Sequence, residues 1–65
     1  MALIRIANIP DPDGFYQELI DSQRGMSDED AAAMNARLVL ILANHVGERG
    51  VLSEAIALAA GLGSR

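Results

Sequence analysis

Apolar residues in this chain recur at helical spacing between recognisable start and stop signals, and only the first ten positions break that period. Over Met1 to Pro10, Leu3 and Arg5 oppose Ile4 and Ile6 in a loose alternation, and Pro10 and Pro12 stop any strand from continuing. The segment reads as an extended arm or a short strand. Its Leu3, Ile4, Ile6 and Ile9 are too apolar for a free tail, so the arm is expected over a groove of its own chain or of a neighbour.

A first helix opens at Asp11, whose carboxylate can accept from orphan backbone N–H groups, with Pro12 where a missing N–H costs nothing. Asp13 places negative charge at the positive end of the dipole. Phe15 pairs with Leu19 and Tyr16 with Ile20, opposite Gln17, Asp21 and Arg24, and Gly25 supplies a left-handed stop. A second helix runs from Ser27, with Asp30 forming a shortened capping box and Asp28 and Glu29 in the first turn, to Gly47. That is about five turns, ~30 Å. A third runs from about Gly50 or Val51 to Ala60, with Gly61 as its stop and Leu62 folding back. Its inner face is Val51, Leu52, Ala55, Ile56 and Ala59, with Ser53 and Glu54 outward. Glu48, Arg49 and Gly50 offer no strong cap, which leaves its first turn weakly defined. The predicted fold is all-α, an extended arm over residues 1–10 and a single helical domain over residues 11–62.

The central helix carries too much apolar surface for this arrangement. At 100° per residue, Arg37, Asn44 and Glu48 fall within about 40° of one another and form its only clear polar stripe. Met34, Leu38, Leu42 and His45 cover one flank, Ala32, Val39, Ala43 and Val46 the back, and Ala36 and Leu40 the other flank. Two helices of about three turns cannot cover so much, and each large apolar side chain fully buried is worth about 1.5–3 kcal/mol. A two-fold homodimer, a six-helix bundle, is the expectation, with an interface on Met34, Leu38, Val39, Leu42, Ala43 and Val46. The small Ala32, Ala36 and Ala43 would let backbones approach. In the competing arrangement the same surface docks on a larger protein.

Size sharpens that expectation, because 65 residues make one domain with a thin core. Net stability of about 3–10 kcal/mol follows from the usual range per residue. There is no cysteine, so disulfides and thiolate metal sites are absent and association is the remaining staple. The net charge of -4 and five arginines never closer than a dozen positions argue against nucleic acid. The start lacks a secretory pattern and Leu38 to Ala43 is far too short for a membrane span, so a soluble cytoplasmic protein without membrane contact is expected.

Candidate chemistry is sparse. His45 beside Asn44, with Arg37 one or two turns earlier, would make a proton carrier or ligand with a hydrogen-bonding helper. The structural reading, which we favour, seats His45 at the edge of an interface. The structural reading pairs Arg37 with Glu48 or an intermolecular acid and gives Asn35 and Asn44 register-setting contacts in an apolar interface rather than ligand contacts. Asp11-Pro12-Asp13-Gly14 fails as a calcium loop, because Phe15 occupies the next ligand position and Ser22 stands where the bidentate Glu belongs. Asp28, Glu29 and Asp30 are helix-start chemistry. The serines sit in cap, helix and tail contexts, and Gly47 and Gly50 lack the strand and lysine of a phosphate loop. No catalytic residue, metal or cofactor is expected, and the chain reads as a non-enzyme.

The segments D-P-D-G-F-Y, G-M-S-D-E-D and N-A-R-L-V-L-I-L-A-N-H-V-G resemble a family of short bacterial helical proteins classed as a domain of unknown function. The likeness spans Asp11 to Ile56 and is most specific from Asn35 to His45, fading in the third helix. It implies a small helical protein sometimes encoded beside flavin-dependent hydroxylases or other enzymes of aromatic breakdown. D-P-x-x-F-Y and G-M-S-D-E are also similar to the small helical subunit of extradiol ring-cleaving dioxygenases. The expected function is a non-enzymatic helical interaction module, a homodimer acting as accessory subunit of a bacterial metabolic enzyme, one of flavin-dependent aromatic breakdown by the resemblance. The alternative is an aromatic-acid binder whose dimer groove is lined by Met34, Leu38, Arg37, Asn44 and His45.

Overall fold

Asp11 folds its carboxylate over the start of the first helix, accepting from the Gly14 N–H at 3.1 Å. A Cβ at Gly14 would lie 2.0 Å from Asp11 Oδ2, so a larger residue there would make the capping carboxylate shift. The computed structural model describes residues 2–61 and places helices at Pro12–Ser22 (α1), Asp28–Val46 (α2) and Arg49–Ala59 (α3). Among the described residues there is no strand, so the arm is extended chain only.

Helix α1 stops short of Gly25 because its last turn is contested. Ser22 Oγ donates to the Leu19 carbonyl at 2.7 Å, and the N–H groups of Gln23 and Arg24 reach back only three residues, to Ile20 and Asp21. Gly25 then takes the left-handed conformation expected of it, at φ +84°.

Both predicted ends of α2 are made. Ser27 Oγ accepts from the Asp30 N–H at 3.1 Å, and Gly47 at φ +68° returns its N–H to the Ala43 carbonyl at 2.9 Å. The start of α3 differs from the expectation. Glu48 is its cap: the side chain accepts from the Gly50 N–H at 3.0 Å, so the helix begins at Arg49. Ala60 closes it, followed by Gly61 at φ +76°, and Leu62 lies outside the described residues.

Among its described residues the arm makes one hydrogen bond to a helix. The Leu3 N–H donates to the Glu54 carboxylate on α3 at 3.2 Å, giving Glu54 a partner that its outward position did not suggest. Leu3 is half-buried there, whereas Ile6 is 82% exposed.

These contacts build no closed interior: no described residue is buried. The surface of 5576 Å² compares with about 4,000 Å² for a folded monomer of 6.9 kDa. The radius of gyration, 13.6 Å, likewise exceeds the roughly 11 Å of a compact domain this long.

Candidate interaction surface

Helix α2 divides into apolar sectors that meet different neighbours. Toward α1 lie Met34 and Leu38, which share a shallow cleft with Phe15, Leu19 and Ser22, the Ser22 hydroxyl 3.6 Å from the Met34 sulfur. Met34, Leu38 and Leu19 are half-buried there. Two of the six residues expected at an intermolecular interface are therefore engaged within the chain, because a helical wheel does not say which apolar sector its own neighbour covers.

The other four, Val39, Leu42, Ala43 and Val46, line a groove between α2 and α3 with Leu40, Arg49, Leu52, Ala55 and Ile56. The groove encloses about 420 Å³ and is apolar apart from Arg49, whose guanidinium donates to Ser53 Oγ. Ala43, Leu52 and Ala55 are half-buried on its floor. Val39 (64% exposed), Leu40 (70%) and Ile56 (64%) stand in the open, and Ile41 on the outer side of α2 is 65% exposed. Side chains of this kind are each worth a few kcal/mol when fully covered.

The polar candidates are dispersed. Asn35 Oδ1 accepts from the Gln23 side-chain amide at 2.6 Å, which fixes α1 against α2. That is a register role inside the chain, and local sequence carried no signal for Gln23. His45 borders a separate hollow with Ala2, Leu3, Ile4, Val46 and Val51, under the arm. Arg37 and Asn44 are exposed on the outer face. An Arg37–Glu48 pair does not form: eleven residues of separation is about 16 Å along a helix, and the Glu48 carboxylate is engaged at the α3 cap. Among the described residues, Met34 and Leu38 line the cleft toward α1 and His45 the hollow under the arm.

The ion pair recorded among the described residues is Arg24–Asp21 at 2.6 Å, one turn apart on α1. The Arg24 hydrogen bond, and secondarily the amide of Gln17 at 2.9 Å, hold the Asp21 carboxyl below its usual value. Both partners are exposed, so the pair adds little to stability. Among the described residues, no group of three or more His, Cys, Asp or Glu is placed to hold a metal ion, and no helix is long and apolar enough to cross a membrane.

The family model described as a protein of unknown function (DUF2783) matches residues 3–61. The match reaches beyond the segment Asp11 to Ile56 that carried the sequence resemblance, taking in the arm from Leu3 and all of α3. No curated protein and no solved structure matches the chain.

Proposed function

This chain belongs to the DUF2783 family of proteins of unknown function, and we propose that it is a protein-interaction module without chemistry of its own, serving as an accessory subunit of a larger metabolic enzyme. The observation that carries this reading is the absence of any buried residue among those described, in a chain whose α2–α3 face is an apolar groove. Val39, Leu40 and Ile56 stand exposed together on that face, and exposed apolar residues grouped in this way mark contact surfaces. Enzymes of aromatic breakdown that use flavin are the partner class suggested by the sequence resemblance.

Affinity capture of the tagged full chain from the organism that encodes it tests the reading. A larger enzyme recovered in stoichiometric amount, its turnover altered when the chain is stripped away, is the expected result. Recovery of the chain without any enzyme would contradict the accessory role.

A further inference from the structure

We propose that the α2–α3 groove is the seat of a second copy of this chain, in a two-fold dimer that completes the core of both protomers. The inference rests on the interaction-module reading and gives the α2–α3 groove to a second copy, which leaves a larger enzyme to meet another face of the pair.

Area is the first argument. Against the roughly 4,000 Å² of a folded monomer of this mass, the chain's 5576 Å² leaves an excess near 1,600 Å². Part of that excess belongs to the extended arm, and covering about half of it on both members of a pair removes roughly 1,600 Å² in total, the standard size of a specific interface.

Charge is the second. Two chains of net charge -4 repel, so a self-contact must avoid their carboxylates. None of the nine acidic residues lines the groove, and its one charged residue, Arg49, is tied to Ser53. Two copies can meet there without opposing acids.

Relief is the third. An isologous interface needs one patch that carries both knobs and hollows. Here Val39, Leu40 and Ile56 stand out beside a floor of Ala43 and Ala55, and a two-fold axis near the groove sets the knobs of each copy over the floor of the other. The chain has no cysteine to substitute for this contact. Met34 and Leu38 stay on the α1 side of each protomer, out of the interface.

Sedimentation equilibrium of the full chain, joined to thiol cross-linking of single-cysteine variants, tests the proposal. The expected mass at micromolar concentration is twice 6.9 kDa. Because no native cysteine competes, a short bis-maleimide should join Leu40→Cys into covalent dimers and leave Gln17→Cys, on the polar side of α1, as monomer. Val39→Asp should weaken the dimer about 100-fold by burying a carboxylate without a partner. A helical monomer at micromolar concentration overturns the proposal, as does cross-linking through Gln17→Cys in place of Leu40→Cys; neither result depends on the Val39 variant folding. A monomer that still captures an enzyme removes the dimer and keeps the accessory role, whereas a dimer that captures none does the reverse.

Discussion

The side-chain amide of Gln23 donates to Asn35 Oδ1 at 2.6 Å, joining the turn after α1 to the first half of α2. A net contribution of about 0.5–1.5 kcal/mol is usual for such a bond. Asn35→Ala and Gln23→Ala should each lower stability by about that much, and the double variant should lose little more than either single one. Urea unfolding of the four proteins measures the coupling. Fully additive losses would mean that the two residues act independently.

Asp21 carries a depressed carboxyl whose exposed setting keeps its weight in stability small. Its carboxyl is held below the ordinary value of 3.8, first by Arg24 and then by Gln17. A depressed carboxylate contributes stability that is fully present above the ordinary value and lost as pH falls through the lowered native one. Arg24→Gln should move the Asp21 titration upward, followed through its side-chain carboxyl carbon by NMR. An unmoved midpoint would deny Arg24 the leading part.

The two ends of α2 make separable contributions. Ser27→Ala removes the acceptor for the Asp30 N–H and should cost about 1 kcal/mol, with Ser27→Asp largely restoring it. Gly47→Ala should cost about 1 kcal/mol as well, through left-handed strain and not a clash. An added Cβ there meets only the Asn44 carbonyl oxygen, at an ordinary 3.8 Å. Thermal melts followed by circular dichroism read both, and a neutral Gly47→Ala would show that the cap relaxes.

The arm divides at Leu3. Leu3→Ala strips the arm residue that rests half-buried on α3 and should cost about 1–2 kcal/mol. Ile6→Ser alters a side chain 82% exposed in the protomer and should stay within about 0.5 kcal/mol. Chemical denaturation of the two variants compares them. A larger loss at Ile6 would place the outer arm in a contact with another chain.

Much of the fold was legible because helix ends are written locally. Asp11, Ser27 and Gly47 each act on backbone groups within four residues, and each stands where the pattern put it. The start of α3 was missed because a glutamate cap depends on a longer side chain reaching forward to accept from the Gly50 N–H. The early end of α1 was missed because Ser22 takes a carbonyl from its own helix. The surface was legible only in part. Periodicity identified excess apolar area on α2, but the split of Met34 and Leu38 toward α1 from Val39 and Ala43 toward α3 is set by tertiary packing. The Gln23–Asn35 bond lies at the same tertiary level.

Thermal unfolding across a wide range of protein concentration asks whether the chain closes its core alone or against a second copy. For a dimer that melts directly to unfolded chains, each tenfold dilution removes about 1.4 kcal/mol of dimer stability. The Tm of a domain this small should then fall by several degrees per tenfold dilution, roughly 4–8 °C for each kcal/mol lost per chain. That shift is the predicted result. A cooperative melt whose Tm stays fixed on dilution, in a chain sedimenting as a monomer, would contradict the shared core.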